Sequence, residues 1–349
     1  MSLFRTHLLP AGHGDCIVVE YGSPAQPHRI LIDGGTEGTW KRLKKFIEAL
    51  PKAARKFELL VVTHIDADHI GGALGILDGS VEGLEFADIW FNGWRHLTAL
   101  EEQGPVQGEK LTTLLWPQLA RWNKAFGGKA VVLPETGPLP TVTLPGGMRL
   151  TLLSPTPAKL RALQPEWKKK CEEAGLAPQV APPVHPEGLE PMGAIDIDAL
   201  AAEPFKEDPE EANGSSIAFL AEYGGKKILF AADAHPSVLV DSIGRLPGGK
   251  LQVDAFKLPH HGSKKNVSTE LLSLVQTNRY LFSTNGSYFK HPSREAVARV
   301  IQRRVPSCEL RFNYRSDYTR VWDSAALSKK WGFFTSYPAS DDVGDVFEL

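Results

Sequence analysis

The chain has 349 residues, of which 42% are hydrophobic and 23% are charged, and its formal net charge at pH 7 is -2. This composition is typical of a globular protein that buries a large core, arranged as one elaborated domain or two small ones. The near-neutral charge excludes an overall electrostatic attraction to nucleic acid, because proteins that bind polyanions usually carry a basic excess. If the substrate is a polyanion, the positive charge that binds it must be local.

The sequence also limits the compartment and the cysteine chemistry. No apolar run approaches the roughly 20 residues of a membrane span, and residues 1–5 lack a signal-peptide core, so we expect a cytoplasmic protein without a membrane partner. Cys16, Cys171 and Cys308 are widely separated, odd in number and without CxxC spacing. Neither disulfides nor a cysteine zinc site is therefore expected.

The first predicted elements are strands that end in tight turns. Ala11-Gly12-His13-Gly14-Asp15 separates two apolar segments within residues 3–21, as in a hairpin. A strand is predicted over 29–32 that ends at Asp33 and two glycines, and apolar residues recur at helical spacing over 43–50. His13 lies in the turn of this predicted hairpin.

The segment from His64 to His69 carries the strongest chemical signal. It follows the apolar run at 59–62, so it lies where a buried strand ends and a helix begins, which is where α/β proteins place their sites. His64, Asp66, Asp68 and His69 put two imidazoles and two carboxylates within six residues. A polar loop with chance histidines is the alternative, but clustered ionisable groups need partners or a metal, and the pattern favours a metal-binding loop.

The remaining elements follow in chain order. Residues 85–140 are interpreted as an insertion whose tryptophans form the core of a small helical subdomain. A strand is predicted over 146–155 and a helix over 156–174. Residues 177–212 are rich in Pro, Glu and Ala without periodicity and are expected to form a loop or flap.

Two further ligand-type segments follow predicted strands. Asn213-Gly214-Ser215-Ser216 precedes a pair of strands joined at Gly224-Gly225, and the second strand ends at Asp233. His260-His261-Gly262-Ser263 follows another apolar strand and is flanked by Lys257, Lys264 and Lys265. Strand-like pieces recur in residues 306–349 without an assigned role.

These motifs resemble those of a known family. His64-x-Asp66-x-Asp68-His69 followed by Gly71-Gly72 is similar to the second motif of the metallo-β-lactamase fold, with aspartate in place of the middle histidine. That variant, the Asn213 segment, the His260-His261 turn, and a segment with Asn285, Tyr288 and His291 resemble the hydrolase domain of ComEC-type competence proteins. The resemblance implies an αββα sandwich over residues 1–305, with residues 306–349 as a C-terminal extension packed on it.

The resemblance also implies a ligand set. One metal is expected on His64, Asp66 and Asp233, and the other on Asp68, His69, His260 and Asp233. Asp33, Asn213 and Ser215 are expected to orient these ligands without binding the metals themselves. Because oxygen ligands replace two imidazoles of the zinc enzymes, at Asp66 and Asn213, two divalent ions are expected, with manganese preferred and zinc as the alternative.

The implied activity is metal-dependent hydrolysis of a phosphodiester, most simply nonspecific cleavage of DNA by a water held between the two ions. Asp66 or Asp68 would accept the proton. His261 and His291 would stabilise the transition state or protonate the leaving group, although each could instead be structural. Lys264, Lys265 and Asn285 would bind substrate. The alternatives are a hydrolase of a small molecule, such as a signalling nucleotide or a lactone, and a non-catalytic component of a larger complex.

Overall fold

The computed structural model describes residues 2–97, 106–173 and 195–349 of the chain. Its strands, in chain order, are β1 (Leu3–Leu8), β2 (Ile17–Ser23), β3 (Gln26–Ile32), β4 (Lys56–Phe57), β5 (Leu59–Val61), β6 (Glu85–Phe86), β7 (Ile89–Trp90), β8 (Thr141–Thr143), β9 (Arg149–Ser154), β10 (Ala218–Tyr223), β11 (Lys226–Phe230), β12 (Leu251–Gln252), β13 (Ala255–Lys257), β14 (Val275–Gln276), β15 (Arg279–Phe282), β16 (Cys308–Phe312), β17 (Phe333–Ser336) and β18 (Asp345–Glu348).

The α-helices lie between these strands. They are α1 (Trp40–Glu48), α2 (Ala67–Leu77), α3 (Trp94–Leu97), α4 (Val106–Leu115), α5 (Pro157–Glu173), α6 (Ile197–Ala202), α7 (Glu211–Gly214), α8 (Pro236–Gly244), α9 (Thr269–Leu274), α10 (Arg294–Gln302) and α11 (Ala325–Trp331). Among the described residues, none of these helices is both long and apolar enough to cross a membrane.

Two mixed sheets form the centre of the molecule. The first has the order β18-β1-β2-β3-β5-β7, and the second has the order β17-β16-β15-β13-β11-β10-β9-β8. In the first sheet β3, β5 and β7 run parallel, and in the second β11, β13, β15, β16 and β17 run parallel. Parallel neighbours place their carboxyl ends at the same edge, and that edge is where the candidate site forms.

The two sheets pack face to face with helices outside. Alternate residues of a strand point to opposite faces, so that Val19 of β2 joins Phe219 and Phe230 in the core between the sheets. Its neighbour Val18 packs outward against helices such as α1 and α2. The outer face of the second sheet is covered by α6, α8, α9 and α10. The predicted α/β class and αββα layering are therefore confirmed.

The C-terminal residues are part of both sheets, which corrects the expectation of an extension packed on a finished domain. Strands β16 and β17 extend the second sheet, while β18 pairs antiparallel with β1 at the edge of the first sheet. The sequence pattern showed strand-like pieces but not their partners. A boundary at residue 305 would cut through both sheets.

The insertion and the loop also differ from their predictions. Trp90 belongs to β7 and is buried between the sheets, so the main sheet continues into the range assigned to a separate helical subdomain, and Trp116 is exposed. Residues 195–212 contain α6, whose Ile197 and Ala201 pack into the core beside α10, rather than a flap. Residues 177–194 of the predicted loop lie outside the described residues.

Candidate metal centre

The ligand-type residues converge where parallel strands of both sheets end. Asp33 follows β3, His64 lies just beyond β5, Asp233 follows β11, and His260 and His261 follow β13. Three of the five have positive φ angles: 57° at Asp33, 45° at His260 and 55° at His261. Such angles are uncommon outside glycine and often mark functional turns. The backbone turns sharply at these three positions, just beyond the ends of β3 and β13.

Asp33 holds the segment that carries His69. Its Oδ1 accepts a hydrogen bond of 2.7 Å from the Thr63 amide, and its Oδ2 accepts one of 2.8 Å from the Thr63 hydroxyl. The same Oδ2 lies 2.8 Å from His69 Nδ1. With Nδ1 donating to Asp33, His69 Nε2 faces the cluster as a lone-pair donor, as in metal-binding histidines that donate to a carboxylate.

Glycines bring helix α2 directly against the turn after Asp33. A Cβ atom at Gly72 would lie 2.0 Å from the carbonyl oxygen of Gly34, and one at Gly34 would lie 2.1 Å from the amide nitrogen of Ala73. The Gly34 amide donates to the His69 carbonyl at 2.8 Å. Only glycine permits this approach, which fixes the first turn of α2 relative to β3.

His64 and Asp233 contain buried polar atoms that lack hydrogen-bond partners among the described residues. These atoms are His64 Nε2 and Asp233 Oδ1. Buried polar atoms are normally paired, so each unpaired atom requires an explanation. His64 Nε2 lies 3.9 Å from Asp233 Oδ2 and 3.5 Å from Asp66 Oδ2, and Asp66 precedes α2 as its N-cap residue. The donor atoms of His64, His69 and Asp233 lie within 4.8 Å of one another, as a divalent cation requires.

His261 lies inside the cluster, whereas the sequence interpretation placed it outside the ligand set. Its Nδ1 lies 2.8 Å from the carbonyl oxygen of Ser283, to which it donates. Its Nε2 lies 3.3 Å from His69 Nε2 and 3.6 Å from carboxylate oxygens of both Asp68 and Asp233. Asp68, His69 and His261 form a second group of donor atoms within 4.8 Å of one another.

His260 was predicted as a ligand, but it is absent from the donor groups found among the described residues. Its Nδ1 lies 3.0 Å from both Asp208 Oδ2 and Asn266 Oδ1, and its Nε2 lies 3.7 Å from Asp233 Oδ2. The rings of His260 and His261 lie at 76° to each other with centroids 5.8 Å apart. The structure therefore favours His261 for the inner position, with His260 at the border of the cluster.

The electrostatics match a cation site. Burial opposes a charge on His69, yet Asp233, Asp33 and Asp68 raise its pKa above the usual range. Burial likewise opposes a charge on His261, but Asp233 and Asp15 raise its pKa to about 9. Burial opposes the charge of Asp233 too, but the surrounding histidines hold its pKa well below the usual range. Positive charge is therefore stabilised between these carboxylates, and protons compete with a metal for the same donors.

The residues present thus fit divalent metal ions. His64, Asp68, His69, Asp233 and His261 offer clustered, buried nitrogen and oxygen donors, and two of their atoms are otherwise unpaired among the described residues. Asp66 adds an oxygen donor 3.5 Å from His64 Nε2. Carboxylates and imidazoles together suit Mn²⁺, Mg²⁺ or Zn²⁺.

Asn213 and Ser215 support the site through the backbone and through His260. The side-chain nitrogen of Asn213, Nδ2, donates to Asp208 Oδ2 at 2.7 Å and lies 3.4 Å from His260 Nδ1. Ser215 Oγ donates to the Ala212 carbonyl at 2.6 Å, which closes the turn. The Ile217 amide then donates to the Thr63 carbonyl at 2.9 Å. Ser215 therefore stabilises the segment that joins the His64 loop to the second sheet.

The predicted basic flank is weaker than its sequence implied. Lys257 is 1% exposed, and its Nζ donates to Asp15 Oδ2 at 2.7 Å, so this lysine is internal. Lys264 Nζ lies 2.7 Å from Glu295 Oε1. Lys265 is exposed, and Asn285 Oδ1 accepts hydrogen bonds from the amide and hydroxyl of Ser287. These pairings could not be inferred from charge spacing along the chain.

His291 and His13 lie beside the cluster rather than in it. The ring of His291 is 5.2 Å from that of His260, and its Nδ1 is 3.3 Å from Ser293 Oγ. Burial and the neighbouring His260 and His261 hold the pKa of His291 well below the usual range. The lowered pKa favours the neutral imidazole, which can donate one hydrogen bond. His13 faces the site and stacks on Tyr288.

Two residues that the sequence analysis missed orient the paired histidines. Asp15 Oδ1 lies 3.4 Å from His261 Nδ1, and Asp208 Oδ2 lies 3.0 Å from His260 Nδ1. Asp15 was visible as the acid that closes the Gly12-His13-Gly14 turn. Asp208 carried no signal, because it lies in a Pro- and Glu-rich segment without periodicity.

The chain was compared with protein families, curated sequences and solved structures. Residues 9–84, which include Asp33 and the His64–His69 segment, match the family model of the metallo-β-lactamase superfamily. No curated protein sequence matches the chain. Among solved structures, the chain is similar to a metallo-β-lactamase HARLDQ motif mutant, S60, from Cronobacter sakazakii. The identity is 15%, the similarity covers 72% of this chain and 76% of that one, and the TM-score is 0.31.

Residues 9–84 thus match the metallo-β-lactamase superfamily, and the αββα fold and the donor cluster are consistent with that match. Proteins of this superfamily bind divalent metals, and the class indicated is a metal-dependent hydrolase.

Proposed function

We propose that the protein is a metal-dependent phosphodiesterase that cleaves DNA without sequence specificity. The observation that carries this proposal is the oxygen-rich donor set, in which Asp66, Asp68 and Asp233 surround His64 and His69. Asn213 carries no imidazole, and its side-chain nitrogen donates to Asp208 Oδ2. Hard oxygen donors suit Mn²⁺ or Mg²⁺, the ions that commonly serve phosphoryl chemistry.

The chain's own residues would orient and polarise the reacting groups. Two divalent ions, when bound, would stabilise negative charge on the attacking and leaving oxygens. Asp66, whose side chain is 33% exposed and lies 3.5 Å from His64 Nε2, would accept a proton from water. Asp33 fixes His69, and Asp15 with the Ser283 carbonyl fixes His261, so the ligands are held before substrate arrives. His291 would donate a hydrogen bond to a phosphate oxygen.

Substrate binding would depend on few charges. Because Lys257 is buried with Asp15 and Lys264 pairs with Glu295, Lys265 and Arg294 are the clearest candidates for phosphate contacts. Few phosphate contacts predict modest affinity for DNA and a weak dependence of that affinity on salt. Each neutralised phosphate contributes about -0.9 to the slope of the logarithm of the binding constant against the logarithm of the salt concentration on duplex DNA. Aromatic contacts would then supply much of the remaining affinity.

The test incubates the purified full chain and Mn²⁺ with single-stranded DNA, double-stranded DNA, RNA, a cyclic dinucleotide and a generic lactone. The Asp68→Ala variant serves as the inactive control. Loss of DNA length only with the unmutated chain is the expected result. Lactone opening without any phosphodiester cleavage would move the protein to ester hydrolysis, and cleavage of the cyclic dinucleotide alone would restrict the substrate to small nucleotides.

A further inference from the structure

Four rings form a continuous surface beside the metal centre, which we call the aromatic platform: His13, Tyr288, Phe289 and His291. Tyr288 stacks on His13 with centroids 4.9 Å apart, and Phe289 stacks on His291 with centroids 5.9 Å apart. Phe289 also meets Tyr288 edge-on at 4.4 Å. The ring of Phe289 lies 6.4 Å from that of His260, so the platform begins at the border of the metal cluster.

Phe289 is the exposed part of this platform. It is 43% exposed, whereas Phe282 and Phe312 on the nearby strands are buried. An exposed large aromatic side chain at the mouth of a polar site leaves apolar surface in water, which costs free energy unless a ligand covers it. Phe289 therefore leaves part of its ring accessible to a ligand beside the metal cluster.

The loop that carries Phe289 is held firmly on the scaffold. The Asn285 amide donates to the Gly12 carbonyl at 2.8 Å, and the Lys290 amide donates to the Gly286 carbonyl at 3.0 Å. Gly286 has a φ of 76°, and a Cβ atom there would lie 2.4 Å from the ring of Tyr318. Phe289 is thus presented in one place at little entropic cost on binding, as a preorganised contact requires.

We propose that the aromatic platform, through Phe289, is a stacking subsite for the nucleobase next to the phosphodiester that is cleaved. This inference rests on the proposed nuclease function. Every base has a π face, so a stacking contact binds single-stranded nucleic acid without reading its sequence. The aromatic platform would also contribute affinity that Lys257 and Lys264 do not, because both lysines are paired with carboxylates. Aromatic recognition of this kind selects flexible or unpaired strands, because a base within a duplex cannot leave its own stack without an energetic penalty.

The experiment measures binding of short single-stranded oligodeoxynucleotides to the full chain in the Asp68→Ala background with Mn²⁺, so that cleavage does not interfere. Phe289→Ala, Phe289→Leu and Phe289→Trp are compared on this background. Each variant is tested with an intact oligonucleotide and with a series in which one nucleotide at a time is abasic. Removal of a stacking contact is expected to weaken binding about 5- to 150-fold, which corresponds to the known range for one stacked base.

Coupling between protein and base is the decisive readout. When Phe289 is present, an abasic nucleotide at one position of the oligonucleotide should weaken binding. The same abasic nucleotide should not weaken binding by the Phe289→Ala or Phe289→Leu variant, whereas it should weaken binding by the Phe289→Trp variant. Phe334→Ala is the matched control, because Phe334 is 47% exposed on strand β17 and contributes nothing to the cluster. Melting temperatures verify that each variant is folded.

The outcomes separate the two proposals. If the unmutated chain cleaves DNA but the Phe289 variants respond to abasic nucleotides as the parent does, the stacking subsite is wrong and the nuclease stands. If the unmutated chain neither binds nor cleaves any polynucleotide, the proposed function fails and the subsite fails with it.

Discussion

Lys257 Nζ lies 2.7 Å from Asp15 Oδ2, and both side chains are buried behind the metal centre. Lys257 ends strand β13 of the second sheet, while Asp15 lies in the turn before strand β2 of the first. The other oxygen of Asp15 lies 3.4 Å from His261 Nδ1. One ion pair therefore joins the two sheets and reaches a candidate metal ligand.

Replacing Lys257 with methionine should destabilise the protein strongly. Breaking a buried ion pair leaves an uncompensated charge, which typically costs about 3–5 kcal/mol of unfolding free energy. Lys264→Met is the matched control, since the Lys264–Glu295 pair is exposed and worth about 0–1 kcal/mol. Urea unfolding measures both. Equal losses for the two variants would mean that Asp15 does not depend on Lys257 for its charge.

Replacing Asp33 with asparagine should weaken metal binding without removing a ligand. The amide cannot accept from Thr63 and His69 together as the carboxylate does, so the His69 ring loses its fixed orientation. Supporting carboxylates of this kind typically affect metal affinity by about 10- to 100-fold. Metal titration calorimetry measures the change. Asp254→Asn is the control, because Asp254 accepts from the Lys227 amide away from the cluster, and equal affinities would contradict the role of Asp33.

Divalent metal should stabilise the fold, and the choice of metal should depend on Asp66. Binding at 100 times the dissociation constant adds about 2.7 kcal/mol, so chelation should lower the melting temperature and abolish hydrolysis. Asp66→His should shift the preference from Mn²⁺ toward Zn²⁺, whereas Asp241→His on the exposed side of α8 should not. Tight stoichiometric zinc with full activity in the unmutated chain would overturn the manganese preference.

Replacing His291 with alanine should reduce turnover but leave metal content unchanged. His291 touches the ring of His260 and lies outside the donor groups found among the described residues. Loss of one hydrogen bond to transition-state charge commonly costs about 10²–10³-fold in rate. Turnover and bound metal are measured on the same sample, with His28→Ala as the control. A lost metal ion would instead make His291 a ligand.

The sequence predicted the part of the site that is local. His64, Asp66, Asp68 and His69 lie within one strand-to-helix turn, so their proximity follows from the backbone alone. The sequence could not determine which of His260 and His261 lies inside the donor cluster, because their placement depends on two positive φ angles that no sequence pattern encodes. Asp208 and Lys257 reach the site only through contacts distant along the chain, for which the sequence offers no spacing rule.

The fold shows the same division. Apolar runs identified strands such as β3, β5, β9, β11 and β13 but not β7 or β15, and the layering followed from the resemblance. The sequence did not predict which strand each C-terminal strand pairs with, because pairing depends on the whole sheet rather than on the strand itself. Trp90 was assigned to an insertion for the same reason, since its burial comes from packing on Phe219 of the opposite sheet.

Pairing of β1 with β18 has a consequence for how the molecule reaches its native state. The Leu349 amide donates to the Phe4 carbonyl at 3.0 Å, so the first strand completes its hydrogen bonds only with residues near position 349. During synthesis, the edge of β1 that pairs with β18 therefore has no partner while more than three hundred residues are added. Exposed strand edges of this kind can pair with other chains. Contacts this far apart along the chain also slow folding, because the loop between them must close first.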